Sequence, residues 1–379
     1  MKHVLLLTAL FLCGTANAAA PQEDPVTLAQ IMVRDGHWDR ARQVLTGMDA
    51  QNPKLDHGKR LATWGLLHLH DKSFPKAIEA FTGAIDIGLA EDGADPVLYI
   101  YLAQAFVFNN QPQQALNALG NAGSAADHMV QSYMIRFRAY QELNKPDQAW
   151  TALTEGIKAF PNNRGLQKQR LVFMIETQLV EVSYRASIAF LAVPEATEDD
   201  ALDLAALFRQ QGLLPAAQLI LEASVLRFGD TQALLIASAA VALEDKRYFD
   251  AGRFLERATQ RAPKYAIESA EAYRKSGDLQ KALYMNAQAV DSLDKTRQRF
   301  GLYIESKQYT RAISMQARLK RLGLLKDDSV KYGLAYCFFH ASDPVQAEQY
   351  LETISDKKIF QQAIALREAM AACEQDICW

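Results

Sequence analysis

One small residue recurs along this chain at a spacing that fixes its architecture. Alanines that open an amphipathic segment, each just after a turn rich in Gly, Asn, Asp or Pro, fall at Ala41, Ala77, Ala115, Ala149, Ala186, Ala217, Ala251, Ala282, Ala312 and Ala347. Successive spacings are 36, 38, 34, 37, 31, 34, 31, 30 and 35 residues. A period in this range marks an array of small supersecondary units, none of which can bury its apolar face alone. Apolar residues within a unit keep helical spacing, as in Leu98, Leu102 and Ala105 or Leu116, Leu119 and Ala122. No run alternates and β-branched residues are sparse, so each unit reads as two helices with no strand. Proline agrees: Pro75, Pro112, Pro146, Pro215 and Pro344 sit where a second helix opens, a place where the missing N–H is harmless.

These residues resemble the tetratricopeptide repeat (TPR), a 34-residue helix–turn–helix unit, over roughly residues 25 to 355. The fourth unit matches through Tyr133, Tyr140, Ala149, Leu153 and Phe160-Pro161-Asn162-Asn163. The seventh matches through Ala239, Tyr248, Ala251, Leu255, Ala258 and Pro263, and the eighth through Ala270, Tyr273, Gly277-Asp278-Leu279, Ala282 and Ala289. Unit five is degenerate, its turn read as Val180 to Ser183 without Gly or Pro. Units eight and nine carry Asn286 and Gln316 where the family places a bulky apolar residue. The resemblance implies an all-α, right-handed superhelical solenoid of about ten TPR-like units with a C-terminal capping helix. That cap is read over Asp356 to Ala372, with Ile359, Ala363, Leu366 and Met370 on one side. The expected division is a block of units one to five over 19–195, a block of units six to ten over 196–355, and cap plus tail over 356–379. Val193 to Asp200 is the internal boundary.

Residues 1–18 read as a cleaved signal peptide: Lys2, a short apolar run from Val4 to Leu12, then Ala16-Asn17-Ala18. Cys13 follows a bulky leucine and does not make a lipobox. Export places Cys337, Cys373 and Cys378 in an oxidising compartment. Cys373 and Cys378 are expected to bridge, which requires the capping helix to end near Cys373. Cys337 is expected to be buried and free, the rival pairing being Cys337 with Cys373.

Motifs for catalysis are absent from the sequence. There is no GxSxG, Walker loop, GxGxxG or HExxH. His68 and His70 lie two apart on a helix and point to different faces. No enzyme activity, metal or cofactor is expected. A net charge of −3 provides no global field for nucleic acid.

The resemblance implies that the first helix of each unit lines a concave groove. The lining residues carried over are Val26, Gln30, Val33, Leu66, Leu69, His70, Val97, Ile100, Gln104, Val107 and Phe108. This apolar track with a few polar groups suits an amphipathic helix or an extended peptide. The family's carboxylate clamp is missing, since its positions hold Val26 and Gln30, Ala62 and Leu66, Ile100 and Gln104. A second candidate surface is the stripe Tyr332, Tyr336 and Phe339, equally readable as a seam with the cap. A basic patch of Arg297, Arg299, Arg311, Arg318, Lys320 and Arg321 could meet an acidic protein, a membrane or another anionic surface, but reads more readily as a solvated face.

The expected function is a non-enzymatic periplasmic scaffold that binds protein partners of a cell-envelope machine, such as secretion, pilus assembly, polysaccharide export or TonB-type transport. The alternative is a periplasmic chaperone or assembly factor holding unfolded clients. Mass spectrometry of the protein from envelope fractions should find the N-terminus at Ala19 or within two residues of it. An intact Met1 or a diacylated Cys13 would overturn the soluble periplasmic expectation.

Overall fold

A computed structural model describes residues 24–375 apart from 50, 92 and 291. The signal-peptide segment and Cys378 lie outside the described residues, as does the side chain of Cys373, and with them the expected Cys373–Cys378 bridge. Among the described residues, ten left-handed turns recur between paired helices, at Gly36, Lys72, Asn110, Asn144, Gln178, Gly212, Lys246, Gly277, Lys307 and Ser342, with φ between 55° and 85°; Gly93, Gly123, Gly229 and Gly323 are positive in φ outside this series. At each turn the following amide N–H donates to the carbonyl five residues back, from His37 to Met32 through to Asp343 to Phe338, at 2.7–3.0 Å. This is the Schellman closure that satisfies an orphan carbonyl at a helix end.

Each turn joins two helices into a hairpin. The hairpins are α1 (Pro25–Arg34) with α2 (Trp38–Thr46), α3 (His57–His70) with α4 (Phe74–Glu91), α5 (Pro96–Phe108) with α6 (Pro112–Asn121), and α7 (Val130–Glu142) with α8 (Pro146–Ala159). Then come α9 (Arg164–Glu176) with α10 (Val180–Ala192), α11 (Glu198–Gln210) with α12 (Leu214–Phe228), and α13 (Gln232–Glu244) with α14 (Tyr248–Thr259). The last are α15 (Ala266–Ser276) with α16 (Leu279–Gln288), α17 (Leu293–Glu305) with α18 (Tyr309–Ser314) and α19 (Gln316–Arg321), and α20 (Asp328–His340) with α21 (Pro344–Leu351). A final helix, α22 (Lys357–Gln375), follows. Among the described residues there is no strand, and no helix is long and apolar enough to cross a membrane.

Five residues after each turn comes a small side chain. Ala41, Ala77, Ala115, Ala149, Ala217, Ala251, Ala282, Ala312 and Ala347 are all fully buried. In the fifth hairpin this position is held by Ser183, also fully buried, and not by Ala186, which is half-buried. The Ser183 hydroxyl donates to the Val180 carbonyl at 2.9 Å, so a small polar side chain is satisfied where alanine would otherwise sit. The register is thereby regular, with Ser183 34 residues after Ala149 and 34 before Ala217. The turn is Gln178-Leu179; Val180 to Ser183 is already the first turn of α10. Close approach recurs elsewhere: a Cβ on Gly65 of α3 would lie 2.5 Å from the buried Phe81 ring of α4.

Residue contacts divide the chain into two compact bodies, one up to Arg170 and one from Leu171. This division falls inside α9, ahead of the 193–200 stretch favoured by the sequence. That stretch is instead well fastened. Thr197 and Asp200 form a capping box on α11, and the Arg227 guanidinium donates to the carbonyls of Leu191 and Val193. The N-terminal body has its core in Phe81, Ile85, Ile100, Ala103, Leu119 and Ile135, among others. In the C-terminal body, one cluster centres on Phe208, Ile220 and Leu234, and another at the end joins Ala335 and Phe338 of α20, Ala347 and Leu351 of α21, and Ala363 and Leu366 of α22. The linker into α22 is clasped by Asp328, whose carboxylate accepts from Lys331 Nζ at 2.6 Å and from the Ser355 and Asp356 amides at 2.7 Å. These donors hold its pKa well below the usual range. α22 is described as far as Gln375, two residues past Cys373.

The seven non-glycine turn residues sit in a region that disfavours a Cβ. Gln178→Gly should therefore raise stability by up to about 1 kcal/mol and Gly212→Ala should lower it by about the same. Urea unfolding followed by circular dichroism checks both signs.

Candidate functional site

The first helices of successive hairpins touch side by side in each body, as α5 does with α7 and α15 with α17. A helix in such a row buries its flanks and leaves one narrow face open. On α5 the buried side takes Ile100, Leu102, Ala103, Ala105 and Val107, while Gln104 stays half-exposed and Phe108 exposed. On α7 the open face takes Gln131, Met134 and Arg138.

Together these two helices frame a cleft of about 190 Å³, lined by Gln104, Val107, Phe108, Val130, Gln131, Met134, Ile135 and Arg138. The Phe108 ring, 40% exposed, stacks on Phe74 with ring centres 5.3 Å apart. The Arg138 guanidinium lies over the same ring, 5.3 Å from its centre, a cation–π contact that holds the aromatic side chain at the rim. Arg138 is the single charged residue of the lining. Near it, burial raises the Glu142 carboxyl pKa while the Arg138 charge opposes the shift. The cleft thus offers apolar walls, two amides for hydrogen bonds and one cation, the composition of a site for a peptide side chain.

Of the eleven residues expected to line a groove, the structure brings Gln104, Val107 and Phe108 into this cleft. Val26, Val33 and Ile100 are corrected to core: Val26 and Ile100 are 0% and 1% exposed, and Val33 packs with Ala29, Ala41, Leu45 and Leu67. They point to the facing helices, because the seven-residue step that relates Val26 to Val33 and Ile100 to Val107 follows the buried flank. Leu66 and Leu69 pack partly on the core of the N-terminal body. His70 is exposed and stacks on Trp38 at 4.2 Å, with Nδ1 3.3 Å from Asp71. Gln30 and Val97 are half-buried and outside the cleft. The sequence reading stopped one hairpin short. The 34-residue register from Ala115 to Ala149 carries Val97, Ile100 and Gln104 onto Gln131, Met134 and Arg138, three of the lining residues.

The other candidates resolve differently. Tyr332, Tyr336 and Phe339 are half-buried against the cluster that holds Ala363 and Leu366 of α22, and Tyr336 also meets the Tyr309 and His340 rings. Much of the basic stretch serves the fold. Asn286, fully buried, donates to the Lys295 carbonyl and Gln298 Oε1 and accepts from Arg299 Nε at 2.9 Å. Lys295 Nζ donates to the Ala287 and Ala289 carbonyls at the end of α16. Arg318 donates to Thr296, Arg297 pairs with Asp327 at 3.6 Å, and Lys320 and Arg321 are exposed. Gln316 donates to the Tyr350 hydroxyl at 2.5 Å. Cys337 is fully buried and unbridged, its thiol pushed up to about 12 by burial. Among the described residues no group of three or more His, Cys, Asp or Glu could hold a metal ion.

No family model and no curated protein matches the chain. Solved structures with a similar course of chain include a tetratricopeptide repeat protein from Parabacteroides merdae (TM-score 0.41, 13% identity, covering 65% of this chain and 98% of that one). The C-terminal part of a TPR repeat-containing protein from Cytophaga hutchinsonii gives 0.44 at 12% identity, over 59% and 92%. PilW, a type IV pilus biogenesis factor, gives 0.33 at 16% identity, over 51% and 91%. The repeat assignment rests on the ten turns and ten buried small residues of this chain.

Truncation separates wall from rim. Ile100→Ala should cost about 2–4 kcal/mol, as for a fully buried side chain, and Phe108→Ala less than about 1.5 kcal/mol. Equal losses in urea unfolding would place Phe108 in the core.

Proposed function

We propose that this tandem array of TPR-type hairpins is a non-enzymatic scaffold of the cell envelope, reached through the N-terminal leader, and that it captures a partner protein segment in the cleft between α5 and α7. The observation that carries the reading is the exposed Phe108, held at the rim of an apolar cleft by Phe74 and Arg138. An aromatic side chain prepared in this way loses little entropy on contact and gains burial, as interface anchors do. The cleft's amides, Gln104 and Gln131, can orient the backbone of a bound segment. The leader pattern supports the envelope address, and the single-cation lining supports an apolar segment over a strongly charged one.

Phe108→Glu should weaken partner capture by more than about 1 kcal/mol while leaving the helical circular dichroism unchanged. Met134→Glu, on the facing helix, should do the same. Crosslinking pull-downs from envelope fractions with both variants make the test. Capture of a broad set of unfolded clients would favour a chaperone, and unchanged capture by both variants would remove the cleft from the function.

A further inference from the structure

Beside the exposed Lys320 and Arg321, two further cations, Lys307 and Arg311, stand together without a carboxylate partner among the described residues. Lys307 occupies the left-handed turn of the ninth hairpin and Arg311 lies in the first turn of α18. Both line an open cleft of about 650 Å³ together with Gln280 and Leu283 of α16, Tyr309, and His340 at the end of α20. Arg311 Nη1 donates to Gln308 Oε1 at 2.6 Å, and among the described residues neither cation is paired with a carboxylate. No carboxylate lines the cleft.

The contrast with the rest of the C-terminal body is direct. There Arg209 pairs with Glu244, Arg274 with Glu271 and Glu305, and Arg367 with Glu348. The floor is aromatic and fixed: His340 stacks on Tyr309 at 4.6 Å and meets the Tyr336 ring edge-on at 4.4 Å. Burial, and the charge of Lys307, lower the His340 pKa. The ring offers an N–H donor in either protonation state.

We propose that this cleft binds the side-chain carboxylates of an acidic protein segment. The donors come from three successive hairpins, Gln280 from the eighth, Lys307 and Arg311 from the ninth and His340 from the tenth. Spread donors match an extended chain bearing several carboxylates and not one compact ion. The site lies in the C-terminal body and stands independently of the α5–α7 cleft.

The test uses the full mature chain and fluorescence anisotropy with a labelled oligo-glutamate peptide and a matched oligo-glutamine peptide. The glutamate peptide should bind at least about tenfold more tightly, with affinity falling as salt rises. The double variant Lys307→Gln, Arg311→Gln should lose that advantage with its circular dichroism intact, whereas Arg311→Lys should keep most of it. Lys320→Gln with Arg321→Gln should change binding little, and so should Phe108→Glu. Equal binding of the two peptides, or an unchanged double variant, overturns the proposal. So does displacement of the peptide by inorganic phosphate at matched charge, or preferential binding of phosphatidylglycerol vesicles.

Discussion

The fold depends on one backbone event repeated ten times, a left-handed turn closed by an amide-to-carbonyl bond five residues back. The turn reverses the chain within three residues. It thereby sets the first helix of a hairpin against the start of the second, and the contact point falls five residues on. Any side chain there must be small, because the two helix backbones are already close. Nine alanines and Ser183 meet that demand, all fully buried. Everything else in a hairpin can vary: the turn residue itself is Gly, Asn, Lys, Gln or Ser. The closing bond involves only backbone groups, so it tolerates this variety at a cost of about 1–2 kcal/mol wherever a Cβ is present.

This explains which parts of the fold were legible in the sequence. A buried alanine after a turn is a visible mark, and nine of its ten positions were found from it. The tenth failed because Ser183 does alanine's work with a hydroxyl that bonds its own helix, a substitution that spacing reveals only if the period is held at 34 through the gap. Alanine-rich helices also offer decoys, and Ala186 was one. The turns were less legible, since Lys72, Gln178, Lys246 and Lys307 are not turn formers by composition. The site was harder still. Helical periodicity identifies an apolar face but does not say whether that face meets a neighbour or solvent, and Ile100 and Phe108 differ in this alone.

Polar residues at positions where the family is apolar were the other difficulty. Asn286 would read as a defect in the packing of the eighth hairpin. In the structure it is a node, donating to the Lys295 carbonyl and Gln298 and accepting from Arg299, so that a buried amide is fully engaged. Of its partners one is a charged side chain, Arg299, one a neutral amide and one a backbone carbonyl. Two cations of the basic run that follows in sequence, Arg299 and Arg318, thus satisfy the buried Asn286 and Thr296, and Lys295 Nζ bonds the carbonyls at the end of α16. With Lys295, Arg299, Arg318 and the Asp327-paired Arg297 subtracted, Lys307, Arg311, Lys320 and Arg321 are left exposed.

The same subtraction bears on where an apolar partner can be held. The faces of α15 and α17 frame a larger cleft, about 510 Å³, but its lining carries Glu268, Glu271, Arg274, Lys275, Asp294, Arg297 and Glu305. Arg274 there is engaged by two carboxylates, Glu271 at 2.7 Å and Glu305 at 2.8 Å. An apolar segment laid across that surface would strip water from paired charges and return nothing to them, a cost that grows with each ion desolvated. The α5–α7 cleft presents one cation against five apolar side chains, and that cation already leans on an aromatic ring. Desolvation there is cheap and the gain in buried apolar area is retained. Volume alone would rank the two clefts the other way; the charge content of their linings decides between them.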